Sequence, residues 1–238
     1  MTKGSKVSLA VIGLVSLATI FVASQFAVGS LYKIGLDNQI EVYSKYRAKY
    51  ANSDDQAVSD KKLSILERLN MLKDNMLAWN QYNPEYLTYS AYVELVNSYS
   101  GESSEVPDSF VSQGLGLTQE AAKARPLSFK TYVQQAYSFN AKGDALQEAL
   151  SQLYLAEQFG PYEKATARAG IDFYFGYWDK VSAKDRAKGV RYVLNPQQYG
   201  FNWGFSRGEL VELLNGSSYK ERVCQILIFS GKEPRVCQ

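Results

Sequence analysis

Read for polarity alone, the chain opens with Lys3 and Lys6 and then a stretch, residues 7–32, that contains no Asp, Glu, Lys or Arg. As a helix rising 1.5 Å per residue this stretch is about 39 Å long, enough to cross a hydrocarbon core of about 30 Å. Because lysine is retained on the cytoplasmic side, the pattern predicts an uncleaved single-pass anchor with Lys3 and Lys6 inside and everything after Lys33 exported. Val22-Ala23-Ser24 before Gln25 offers small residues for cleavage, so a signal peptide is the alternative. An apolar run that continues through Phe26, Ala27, Val28 and Leu31 outlasts the roughly 7 to 15 residues of a signal core, which favours the anchor. A buried core helix, the third reading, would need a partner on every face.

Beyond the anchor the periodicity is helical. Residues 38–51 carry Ile40, Tyr43, Tyr46 and Tyr50 on one stripe, and Val58, Ile65, Leu69, Leu72, Met76 and Trp79 recur at intervals of helical period, with Lys61, Lys62, Glu67, Arg68, Lys73 and Asp74 opposite. Asn83-Pro84-Glu85 then supplies an N-cap, a first-turn proline and an acid at the positive helix end, starting a helix that Gly101 stops. Residues 101–118 mix glycine, proline and polar residues and read as a long loop or hinge. Helical signal resumes over 119–124 and 127–140, divided near Arg125-Pro126. Asp144 is placed to cap a helix over 145–159 that Gly160 ends. Pro161 opens the next helix, apolar on more than one face through Ile171, Phe173, Tyr174, Phe175, Tyr177 and Trp178, and therefore expected at the centre of the fold.

Three capping-box patterns, Ser182 to Asp185, Ser206 to Glu209 and Ser218 to Glu221, predict helices over 183–194, 207–214 and 219–230, with residues 195–200 as a turn. No alternating run bounded by turns argues for a strand. The expected class is all-α, in three parts: residues 1–32 as cytoplasmic stub and transmembrane anchor, 33–118 as a helical region ending in the long loop, and 119–238 as a second helical region.

Composition narrows the chemistry. The roughly 206 residues after the anchor suffice for one large domain or two small ones. Setting Lys3 and Lys6 aside, 24 Lys and Arg balance 24 Asp and Glu, without a single-sign block, which argues against nucleic acid as a partner. The 18 tyrosines fall mostly at helical intervals beside aliphatic residues, as half-buried packing residues do. The sharper alternative is a stacking surface for sugars. Cys224 and Cys237 are the two cysteines, close together at the C-terminus; in an exported chain the pair reads as a disulfide that pins the tail to the preceding helix. Unpaired thiols are the alternative, and a metal site lacks further ligands at the usual spacing.

Leu155-Ala-Glu-Gln-Phe-Gly-Pro-Tyr-Glu163, followed by a helix ending in Tyr177-Trp-Asp-Lys-Val-Ser182, resembles the VpsP-type polysaccharide biosynthesis proteins, and the likeness extends through Ala183-Lys-Asp-Arg-Ala-Lys-Gly-Val190. Tyr82-Asn-Pro-Glu-Tyr-Leu-Thr-Tyr-Ser-Ala91 is similar in character to that family's first helical unit, so the resemblance covers about half of the chain and is strongest over 145–194. It implies a helical protein anchored in a bacterial inner membrane and serving an exopolysaccharide system, and carries over no catalytic residue. The body is then expected as a tetratricopeptide-like array of helical hairpins in topology, although the consensus of that repeat is missing.

The chain has no histidine, which removes Ser-His-Asp and Cys-His nucleophiles, HExxH metal sites and the commonest proton shuttle. Paired acids could hydrolyse a glycosidic bond, but Glu102, Glu105 and Asp108 fall in the expected loop and Asp54 and Asp55 read as helix-start acids. Gly114-Leu-Gly116 alone does not make a nucleotide site. Tyr199, Phe201, Trp203 and Phe205 alternate across Gly200, Asn202 and Gly204; they read either as a glycan or partner contact or as a plug at the end of the helical array. The sequence thus leads to a non-enzymatic, membrane-anchored periplasmic scaffold of exopolysaccharide synthesis or export, without cofactor or catalytic residue. Its expected partners are the inner membrane, polysaccharide synthesis or export proteins and a candidate glycan. A carboxylate-dependent glycan-active enzyme and a general envelope assembly factor are the alternatives.

Overall fold

The computed structural model describes residues 3–50, 55–99, 108–201, 208–215, 217–232 and 234–237. All of the regular structure among them is helical, and the chain divides into two compact units, Met1–Val93 and Glu94–Gln238.

The first unit is built on α1 (Lys3–Lys49), a single helix where the sequence pattern suggested a break before residue 38. No proline interrupts the stretch, and Lys33 pairs with Asp37 one turn on at 3.5 Å, so extending an existing helix costs less than nucleating a new one. From Val11 to Ile20 every side chain is exposed, whereas Leu36 and Tyr43 are buried. One helix is therefore bare and apolar over residues 11–20 and a packed element further on. It is long and apolar enough to cross a membrane.

α2 (Gln56–Trp79) runs antiparallel to the second half of α1, burying Ile65, Leu66, Leu69 and Met76. Asp55 caps it by accepting from the Ala57 amide at 2.9 Å, the role its position suggested. Asn83 caps α3 (Pro84–Ser98), its Oδ1 accepting from the Glu85 amide at 2.9 Å. Tyr86 then lies flat against α1 at Gly29, where a Cβ would come within 2.6 Å of its ring.

The second unit contains α4 (Asp108–Ala124), α5 (Phe129–Ala141), α6 (Leu146–Phe159), α7 (Lys164–Gly176), α8 (Ala183–Leu194), α9 (Glu209–Leu214) and α10 (Lys220–Phe229), with single 3-10 turns at Pro196–Tyr199 and Arg235–Cys237. α4 corrects the sequence reading, which took 108–118 as loop. Val111, Gly114, Leu115, Thr118 and Ala121 share a buried face at helical spacing, and that burial outweighs the roughly 1 kcal/mol that each glycine costs a helix. The expected cap Asp144 makes no side-chain bond to α6, and α10 begins at Lys220 with no side-chain cap. The box at Ser182 forms as expected, its Oγ accepting from the Asp185 amide.

Helical hairpins recur with one turn geometry. At α4–α5, Arg125 N bonds Ala121 O at 2.9 Å and Ser128 N bonds Arg125 O at 3.2 Å; at α6–α7, Gly160 N bonds Ala156 O at 2.8 Å and Glu163 N bonds Gly160 O at 3.2 Å. The α2–α3 turn of the first unit repeats the pattern through Asn80 and Asn83. α7 is central, as its all-round apolar surface predicts, with Ala167, Ile171, Phe173, Tyr174 and Phe175 buried among α5, α6 and α8.

Candidate functional site

α7 and α8 approach through two glycines. A Cβ on Gly170 would meet the Tyr192 ring at 2.4 Å, and one on Gly189 would meet the Tyr174 Cβ at 3.0 Å. α7 so receives the Tyr192 ring and α8 the base of Tyr174, and the hydroxyls of these two tyrosines converge on one acid of α6. Tyr174 and Tyr192 donate to Glu157 Oε1 at 2.6 and 2.8 Å, and Lys188 Nζ donates to Oε2 at 2.5 Å. Lys188 also faces Asp185 Oδ1 at 3.6 Å. The other oxygen of Asp185 accepts from Tyr154 at 2.9 Å and Ser182 at 2.6 Å.

This network floors an open cleft of about 490 Å³ lined by Tyr154, Glu157, Gln158, Ser182, Lys184, Asp185 and Lys188. The acids lie deep: side-chain exposure is 11% for Glu157 and 6% for Asp185. Burial alone would push the Asp185 carboxyl up, but the Ser182 and Tyr154 hydroxyls and the Lys188 charge outweigh it and hold it below the usual carboxylate range. Tyr154 is pushed up to about 12 by burial and by the Asp185 carboxylate it serves. A second acid repeats the device: Asp172 accepts from Tyr137 and Tyr219, each at 2.5 Å, joining α5, α7 and the start of α10. Burial pushes Asp172 up against the opposing pull of those hydroxyls.

Chemically, both oxygens of Glu157 are engaged by donors fixed on two other helices. A general acid or base needs a proton it can exchange with a substrate, and a carboxylate locked by two phenols and an ammonium is organised to hold helices in place. Beneath the cleft the network braces α6 against α7 and α8.

The residues singled out by sequence fall elsewhere. Tyr199 and Phe201, each 4% exposed, belong to the core; Tyr199 packs edge-on against Tyr192 with ring centroids 4.7 Å apart. Neither ring offers a face to a glycan, and Trp203 and Phe205 lie outside the described residues. Of the candidate acids, Asp54, Glu102 and Glu105 lie outside the described residues, Asp55 is the α2 cap, and Asp108 opens α4. Cys224 and Cys237 are joined, Cα atoms 5.3 Å apart, and the 3-10 turn they anchor packs Val236 on the core. Among the described residues no group of three or more His, Cys, Asp or Glu is placed to hold a metal ion.

Sequence reasoning missed Glu157, Asp185 and Lys188. The available signal was a pair of polar side chains three apart on each of two neighbouring helices, Tyr154 with Glu157 and Asp185 with Lys188. Comparison of the chain with protein-family models, curated proteins and solved structures finds no match.

Proposed function

We propose that the protein is a non-enzymatic scaffold held in a bacterial inner membrane by the first part of α1, with its helical body in the periplasm. The observation that carries this reading is α1 itself, apolar and exposed over residues 11–23 and packed into the fold further on through Leu36 and Tyr43. An anchor that is also a core element ties the body to the bilayer without a linker. Confinement to the membrane plane raises the effective concentration of the body near membrane-bound partners, and stacked helical hairpins give those partners an extended surface. A cleaved signal peptide would fit less well, because the Ser24 boundary lies inside an unbroken helix. Lys3 and Lys6 favour the cytoplasmic side for the N-terminus, and the cysteine pair suits an oxidising compartment.

The exopolysaccharide setting rests on the resemblance over 145–194, the segment that also supplies Glu157, Asp185 and Lys188. In that setting the partners are membrane-bound synthesis or export proteins. The test combines a strain lacking the chain with the purified protein. A scaffold restores polymer yield in the strain while leaving purified polymer at its original length. Shortening of the polymer by the purified protein, but not by a heat-unfolded sample of it, would establish the glycan-active alternative instead.

A further inference from the structure

In the first unit the contacts fix a common height scale along α1. Tyr46 donates to Val58 O at 3.2 Å, and Leu72 packs on Gly35, its Cδ2 3.3 Å from where a Cβ would stand. Running antiparallel, α2 descends about 10 Å further between Leu72 and Trp79, which brings Trp79 opposite residue 28. α3 starts back from the same level: Tyr86 covers Gly29, with its hydroxyl 3.3 Å from Ser30 Oγ and 3.5 Å from Phe26 O, and Glu85 pairs with Lys33 at 3.3 Å. The α2–α3 turn, residues 80–83, is thus the lowest point of the folded part of this unit, beside the end of the bare segment of α1.

On the open side of α1 apolar exposure continues past this level, with Phe26 50%, Leu31 67% and Ile34 56% exposed. A bilayer that covers those side chains has its polar boundary near residues 29–34, at or above the turn. The turn carries exposed aromatics there, Trp79 at 38% and Tyr82 at 79%, flanked by Asn80, Gln81 and Asn83. A ring with a polar edge among amides is the chemistry that settles at the headgroup level of a membrane.

We infer that the α2–α3 turn is a second membrane contact, in which Trp79 and Tyr82 insert into the interfacial layer of the leaflet from which α1 emerges. The ligand is the lipid bilayer surface. The contact rests on the reading that α1 spans the membrane, and it turns a single post into a two-point mount that fixes the depth and rotation of the helix.

The test uses the full chain in vesicles of phosphatidylcholine and phosphatidylglycerol, with one nitroxide label on Leu17→Cys, Tyr82→Cys or Ser59→Cys. Access of a water-soluble nickel complex is then measured. Ser59, exposed near the opposite end of α2, sets the aqueous reference. The inference expects access at residue 82 severalfold below that at 59, with 17 lower still. A shielded residue 17 with residue 82 as accessible as 59 overturns the second contact and leaves the span intact; an accessible residue 17 overturns the span and the contact with it. Quenching of native tryptophan fluorescence by lipid brominated near the headgroup, lost in Trp79→Phe, supports the contact without a label at the turn, and unchanged quenching in that variant overturns it.

Discussion

Raising the pH is the sharpest probe of the second unit. Tyr137, Tyr174, Tyr192 and Tyr219 are each pushed well above the ordinary phenol value, first by burial and then by the Asp172 or Glu157 carboxylate each one serves. In the unfolded chain the same phenols titrate near about 10. Above that pH the unfolded chain releases protons that the native chain keeps. The stability these groups contribute is therefore whole below about pH 10 and falls as pH rises beyond it. Each tyrosine gives a slope of about 1.4 kcal/mol per pH unit, so the four together give about 5 kcal/mol per unit. Against a domain stability on the order of 5–10 kcal/mol, the unfolding midpoint should fall near about pH 11 to 12. Tyrosinate absorbance and far-ultraviolet circular dichroism, followed together on the detergent-solubilised chain, should show these four buried phenols ionising only as helicity is lost. Ionisation of every tyrosine in one step near pH 10, with the helices unchanged, would refute the placement of those hydroxyls.

Replacing Glu157 by Gln keeps its shape but leaves Lys188, 27% exposed, with only the longer pair to Asp185, and should cost about 1–2 kcal/mol, at about 2–4 °C in Tm per kcal/mol for a chain of this size. The double variant Glu157→Gln, Lys188→Met should not recover that loss in a thermal melt, because it also takes the Lys188 charge from the Asp185 carboxylate. Gly170→Ala should destabilise by about 1–3 kcal/mol by driving the Tyr192 ring off Glu157, whereas Gly116→Ala, with nothing within 4 Å of the new methyl in exposed α4, should stabilise by about 0.5–1 kcal/mol; urea titration of the two separates steric from helix-propensity effects. Reducing Cys224–Cys237 should lower stability by about 3 kcal/mol in the chain-entropy account of a loop this size, read as a Tm drop on adding reductant that Cys224→Ser with Cys237→Ser reproduces and reductant no longer changes.

The elements that sequence made legible are those whose cause is local. The charge-free run announced α1, Asn83 and Ser182 cap the helices they precede, and the all-round apolar surface of α7 marked it as central. Where a local signal was opposed by a distant one, reading the sequence alone failed. Gly114 and Gly116 looked like breakers because the face that Gly114 shares with Val111, Leu115 and Ala121 shows its value only once packed. The helix start expected at residue 38 is absent because α1 continues through the Lys33–Asp37 pair, and Leu72, a side chain far along the chain, packs on it at Gly35. The Glu157 network left only the faint signal of polar pairs three apart on α6 and α8, because its convergence depends on the Gly170 and Gly189 contacts that bring Tyr174 and Tyr192 onto the same oxygen.

The abundance of tyrosine has the same origin. Three acids of the second unit lie between helices, and five phenols reach them: Tyr137 and Tyr219 on Asp172, Tyr174 and Tyr192 on Glu157, and Tyr154 on Asp185. A lysine or arginine in each place would add a second ion whose desolvation offsets much of the attraction it brings. A phenol brings a strong donor on a rigid aromatic plate that packs as a core residue, so one side chain both fills the space between helices and solvates the acid. These five hydroxyls, which sequence reading assigned to water or to sugar stacking with the rest, thus turn inward to carboxylates. It follows that removing any one of these hydroxyls, leaving the ring in place as phenylalanine, should damage the fold through the acid it leaves short of a donor while the packing around the ring survives.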